Sequence, residues 1–131
     1  MMEEHPNISL LKRLDLRDLA AAKDVIAEDV VWHFFNPNLP DLQGDYVGLD
    51  GIRSFFRALG EMSRGSFRTE PVSVNAIGDE LVVAHNRNTL NFQSRAIVLD
   101  VVVVWRVRGG RIVEVWDIVP GQPTEANDAE H

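Results

Sequence analysis

Polar and apolar positions follow two different periods along this chain, a helical one in the first half and an alternating one in the second. Asn7 can cap a first helix over residues 8–14, ISLLKRL. Asp15 or Asp18 can open a second, with Leu19, Ala22, Val25 and Ile26 at helical spacing. Residues 30–35, VVWHFF, read as a strand that is apolar on both sides apart from one histidine. Residues 36–47 hold two prolines and a glycine and read as a loop. Asp50 can cap the helix GIRSFFRAL, whose stripe is Ile52, Phe55, Phe56 and Leu59, with Gly60 as its stop. Strands then follow over 66–77 and 80–91 around Gly78-Asp79, and over 96–108 and 111–119 around Gly109-Gly110. Helices first and long antiparallel strands afterwards predict an α+β fold, with helices packed on one face of a curved sheet.

Hairpin pairing assigns side chains to faces, because residues opposite one another share a face. Two-residue turns place Arg68, Glu70, Val72, Val74, Ala76, Leu81, Val83, His85, Arg87 and Thr89 together in the first hairpin. The opposing set, Ser73, Asn75, Val82, Ala84, Asn86 and Asn88, is more polar, so the first set is expected inside. In the second hairpin Val101, Val103, Trp105, Val107, Ile112, Glu114, Trp116 and Ile118 share one face. Both faces of that hairpin are largely apolar, so one is expected under helices and the other against a second subunit.

Composition narrows the function classes. The chain has 131 residues, suited to one domain over 1–131, with frayed ends expected at about 1–6 and 121–131. Net charge is −7 with only two lysines and no basic cluster, so nucleic acid is not an expected partner. No apolar run approaches the ~18 residues of a membrane span, and no secretory leader is seen. The absence of cysteine excludes disulfides and thiolate metal sites and fits a cytoplasmic location.

Several stretches in order carry a resemblance: Asp18-Leu19 leading to Glu28-Asp29-Val30-Val31-Trp32-His33, then Gly44-Asp45-Tyr46-Val47-Gly48-Leu49-Asp50-Gly51-Ile52 with Phe55-Phe56, then Val104 through Trp116. Together they resemble SnoaL-like and ketosteroid-isomerase-related proteins of the NTF2-like superfamily. The resemblance implies a cone: a curved mixed or antiparallel sheet wrapped around the N-terminal helices and one further helix, enclosing an apolar pocket. It also implies a homodimer through the convex sheet face. The catalytic acids of those proteins are not matched. The isomerase base position falls on Phe34 or Asn36, its oxyanion acid on Val103, and its first-helix tyrosine has no counterpart, since the only tyrosine is Tyr46. The cyclase acid position falls on Pro120.

Candidate chemistry then rests on other residues. His85 and Arg87, on the expected inner face, can transfer a proton and hold an oxygen. Alternatively Arg87 makes a structural pair with Glu70, to which His85 is bonded. His33 is a further acid/base in an apolar cavity, or a rim or interface histidine; strand parity leaves its facing open. Trp32, Phe34, Phe55, Trp105, Glu114 and Trp116 are expected to bind substrate, with the core as the plainer role of the aromatics and a solvated arginine partner as that of Glu114. Neither a metal nor a cofactor is expected. The expected function is cofactor-free proton transfer on a small hydrophobic or aromatic molecule, of the isomerase, cyclase or dehydratase type. A non-catalytic small-ligand-binding homodimer and a pure interaction domain are the alternatives.

Overall fold

The computed structural model describes residues 4–15, 18–120 and 124–125. Helix α1 spans Pro6–Lys12, with proline at its first position, where a missing N–H is harmless. His5, not Asn7, is its cap: His5 Nδ1 accepts from the Asn7 N–H at 3.1 Å. The Asn7 side chain instead donates to the Asp79 carbonyl at 2.8 Å, tying α1 to the first hairpin. The expected second helix is reduced to one 3-10 turn, Ala21–Asp24. Ala22 in that turn and Leu19 and Val25 on either side of it are buried, and the chain enters the sheet at Ile26 instead.

Strand β1 is Ile26–Phe35, longer than expected, and β2, Gly44–Val47, forms within the expected loop. Helix α2 runs Gly48–Ser63, straight through Gly60. It stops where Arg64 and Gly65 turn left-handed, φ 53° and 75°, with the Gly65 N–H bonded to the Gly60 carbonyl at 2.9 Å. Asp50 bonds Arg53 at 2.8 Å rather than capping the helix. Strands β3, Arg68–Ile77, β4, Leu81–Phe92, β5, Arg95–Arg108, and β6, Arg111–Ile118, follow, with β7 at Thr124–Glu125. The sheet order is β2-β1-β6-β5-β4-β3, and β7 pairs with the free stretch of β5. Strands β1 and β6 are parallel and the other pairs antiparallel. The fold is therefore α+β with a curved, unclosed mixed sheet, as expected. Among the described residues no helix is long and apolar enough to cross a membrane.

The core lies between one sheet face and the helices. Trp32, Phe34, Val82, Ala84, Val101, Val103, Trp105, Val107, Ile112 and Val115 are buried there against Ile52, Phe55 and Leu59 of α2. This corrects both expected hairpin facings, through turn length and a bulge. The first turn has three residues, Gly78–Glu80, because Ile77 pairs with Leu81. One added residue exchanges the faces of the β4 side chains, while Val74 and Ala76 of β3 stay inside as expected, and an irregularity between Pro71 and Ser73 returns Glu70 to its expected place opposite Arg87. Val74, Ala76, Val82, Ala84, Asn86 and Asn88 therefore face inward, and Val83, His85 and Arg87 face out. In the second hairpin the Gly109-Gly110 turn forms as expected, both glycines at positive φ, with Arg108 opposite Arg111. A bulge then interrupts the ladder: Val107 pairs with Ile112 but Arg106 pairs with Glu114, leaving Val113 extra. Beyond it Val115, Asp117 and Val119 join the inner face, while Glu114, Trp116 and Ile118 turn outward.

Candidate functional site

Two clusters of polar side chains flank the sheet, one on each face. On the inner face, Phe34, Asp117, Val103 and Ala84 form one row across β1, β6, β5 and β4, and Trp32, Val115, Trp105 and Val82 form the next. Phe55 of α2 covers both rows, with ring centroids 6.0 Å from Trp32 and 4.7 Å from Phe34. Phe56 meets Trp32 edge-on at 5.4 Å. Asp117 is thus an acid placed among aromatic and aliphatic side chains. Burial pushes its carboxyl up from 3.8 to about 7, with the Trp32 indole N–H acting weakly the other way. Asp117 is partly buried as a residue, while Phe34, Val103 and Ala84 in its row are buried. Along the same face Phe56, Met62, Phe67, Asn86, Asn88 and Leu99 are likewise partly buried, the apolar ones packed against the core.

Among the described residues of the inner face, Trp105 Nε1 and Asn88 Oδ1 have no hydrogen-bond partner. Such groups are rare in native interiors. Beside them the loop after β1 is held rigid. The buried Asn36 donates its N–H to Gln43 Oε1 and accepts from the Asn38 N–H through Oδ1, each at 2.9 Å. The Tyr46 hydroxyl donates to the Leu42 carbonyl, and burial raises its pKa.

The outer face carries the two histidines. His33 donates from Nδ1 to Asp45 and from Nε2 to Glu114, each at 2.7 Å. Glu114 also accepts from Arg106 at 3.2 Å, and Arg106 lies 5.1 Å above the Trp116 ring. The His33 ring stacks on Trp116 at 5.6 Å. Desolvation opposes the imidazolium, but the bonds from Glu114 and Asp45 outweigh it and raise the His33 pKa. We expect Glu114→Gln to bring the His33 titration midpoint back toward its usual range, read by NMR. An unmoved midpoint would mean that Glu114 does not hold the proton there. Nearby, His85 Nε2 bonds Asp100 at 2.9 Å and Arg87 reaches the same carboxylate at 3.4 Å. The His85 bond leads in holding the Asp100 carboxyl below its usual range, with Arg87 assisting. Glu70 does lie opposite Arg87, as the ladder predicted, although Arg87 turns to Asp100.

Of the residues singled out from the sequence, Trp32, Phe34, Phe55 and Trp105 converge on the inner face. His33, Glu114 and Trp116 form one network on the other side of the sheet, and His85 and Arg87 a second one with Asp100, both away from that cluster. Asp117 was missed because the unbulged pairing put it outside. One signal pointed to it: Arg106 and Glu114 attract across the ladder, and bringing them face to face requires the bulge that turns Asp117 inward. Two surface grooves, about 570 and 460 Å3, lie elsewhere around Lys23, Glu28, Leu49, Arg53 and Arg111.

Comparison with known proteins gives a family. The model of the SnoaL-like domain matches residues 9–115. Among curated proteins no relative matches the chain. Among solved structures it is similar to an NTF2-like protein of unknown function from Burkholderia pseudomallei, at 24% identity and TM-score 0.74, over 89% of this chain and 92% of that one. It is similar to TerC, co-crystallised with polyporic acid, at 22% identity and TM-score 0.71, over 88% and 92%. It is also similar to IdmH, a putative polyketide cyclase from Streptomyces antibioticus, at 20% identity and TM-score 0.66, over 88% and 92%.

Proposed function

The chain belongs to the SnoaL-like domain family, and from that membership we propose that it is a single-domain pocket protein that moves a proton on a small hydrophobic molecule without a cofactor. The observation that carries the reading is Asp117, a carboxyl held near half protonation at neutral pH against an aromatic wall. A general acid/base works best when its pKa lies near the operating pH. As carboxylate, Asp117 takes a proton from carbon next to a carbonyl, the electron pair moving onto oxygen. As carboxylic acid it returns the proton at another carbon. Trp32, Phe34, Phe55 and Trp105 supply the apolar contact area that holds such a molecule. TerC with its bound polyporic acid, and IdmH as a putative cyclase, make an aromatic or polycyclic ligand consistent with the same fold.

A panel of enolisable ketones in deuterated buffer tests this. Wild type should accelerate α-carbon exchange with a rate that follows a midpoint near 7, and Asp117→Asn should lose at least ~100-fold of it. Binding without exchange would sink the catalytic reading and leave the non-catalytic binder. Exchange that survives in Asp117→Asn would return the role to other groups.

A second feature favours a homodimer through the outer sheet face. Phe35, Val102 and Ile118 are 53%, 39% and 42% exposed and adjoin the half-buried Trp116 and Val104 in neighbouring ladder positions. In this reading the histidine–acid network is interface furniture, screened from water by the partner copy. Sedimentation should show a dimer for wild type and a monomer for Val102→Asp, since a charge buried at a self-complementary apolar centre is doubled by symmetry. A wild-type monomer at micromolar concentration would refute it.

A further inference from the structure

Trp105 is 6% exposed, and its indole N–H meets no acceptor. A buried donor left unmet costs roughly 1–3 kcal/mol, so its persistence calls for a partner that arrives from outside the chain. The ladder shows where it would arrive. Trp105 lies opposite Val115, and two residues further along β6 Asp117 lies opposite Val103. Trp105 and Asp117 are therefore diagonal neighbours on the inner face, within reach of each other's side chains. Trp32 holds the matching diagonal from β1 and meets the Trp105 ring edge-on at 5.5 Å. The Trp32 N–H already acts on the Asp117 carboxyl; the Trp105 N–H has no such claim on it.

We propose that the Trp105 indole N–H is the specificity-determining donor of this pocket: it binds an acceptor oxygen carried by the ligand and so selects an oxygen-bearing molecule over a hydrocarbon of the same shape. The proposal rests on reading the inner face as a ligand pocket, but not on proton transfer by Asp117. The surrounding walls, Trp32, Phe34, Phe55 and Val103, gain only contact area from a ligand and distinguish little beyond size. A donor shut away from water discriminates more sharply, because a hydrocarbon leaves it unpaired while an oxygen satisfies it. The position of the donor beside Asp117 also fixes orientation, bringing the ligand's oxygen end toward the acid.

Proton–nitrogen correlation spectra read this directly, since the chain's three tryptophans, Trp32, Trp105 and Trp116, give three indole N–H signals. Trp116, on the outer face, is the internal reference. The probes are α-tetralone and tetralin, which share a skeleton and differ by one carbonyl oxygen. Tetralone should shift the Trp105 signal downfield, leave Trp116 in place, and bind roughly fivefold more tightly than tetralin, the value of one neutral hydrogen bond. Trp105→Phe removes the donor and should bring the tetralone-to-tetralin affinity ratio to about one, with the loss of apolar contact weakening both probes alike. Equal affinity for the two probes, or a Trp105 signal that neither probe moves, overturns the proposal. The wild-type titration decides even if Trp105→Phe fails to fold. Ketone exchange by Asp117 is measured separately, so either reading can fail without the other.

Discussion

Asp117→Asn is expected to make the protein more stable than wild type in mild alkali and no more stable in acid. In the folded chain Asp117 keeps its proton up to about 7, whereas unfolding restores release near 3.8. Between those values the folded state binds the extra proton, so its stability falls as pH rises and levels off above about 7. At about 1.36 kcal/mol per pKa unit the whole penalty is on the order of 4 kcal/mol, a large part of a typical folding free energy. Asparagine keeps the shape and cannot ionise, so the penalty vanishes. Urea unfolding of both proteins from about pH 4 to about pH 8 should give curves that coincide at the acid end and diverge upward for the variant. Parallel curves would show that the carboxyl ionises as it would in water. The same substitution should abolish proton transfer. A gain in stability with a loss of activity is the usual mark of a residue retained for function.

The other large effect is expected from Phe55→Ala. Phe55 is 1% exposed and its ring meets Trp32, Phe34, Tyr46 and Phe56 with centroids between 4.7 and 6.0 Å. It is the side chain through which α2 sits on the sheet, and its removal opens a cavity that four neighbouring rings cannot readily fill. We expect a loss of about 3–5 kcal/mol, measured by urea titration, with Phe55→Leu losing less. The tryptophan emission should also shift to the red as Trp32 gains access to water. A loss below about 1 kcal/mol would mean that helix and sheet are not locked together at this point.

Much of the fold was legible because its signals are local. The stripe Ile52, Phe55, Leu59 announces α2, and the Gly109-Gly110 turn forms where adjacent glycines permit two positive φ angles. The rest depends on partners distant in sequence. Strand β2 has only four residues, and nothing in Gly44–Val47 reveals that β1 will pair with it. Val25 and Ile26 fit a helical stripe as well as a strand, and the parallel ladder with β6 decides between them. The site suffered most. The aromatic lining Trp32, Phe34, Phe55 and Trp105 follows from size and apolarity, which survive small errors of register. The polar residues do not, since a strand with apolar residues on both sides gives no preference for either face. His85 and Arg87 were assigned inward by a turn read one residue too short, and Glu114 by an uninterrupted ladder.

Val113 has a consequence beyond its own position. It touches no proposed ligand and carries no charge, yet the polarity of both surfaces hangs on its standing outside the ladder. Were Val113 itself paired in a regular ladder from the Gly109-Gly110 turn, Glu114 would point inward and Asp117 out. The acid inside and the ion pair outside would trade places with no change in the kinds of residue β6 contains. Between Gly110 and Asp117 it is which residues enter the ladder, more than their identity, that encodes the chemistry. Deleting Val113 would therefore leave Arg106 opposite Glu114 and Asp117 inside, whereas a change that drew Val113 into the ladder would exchange the two faces.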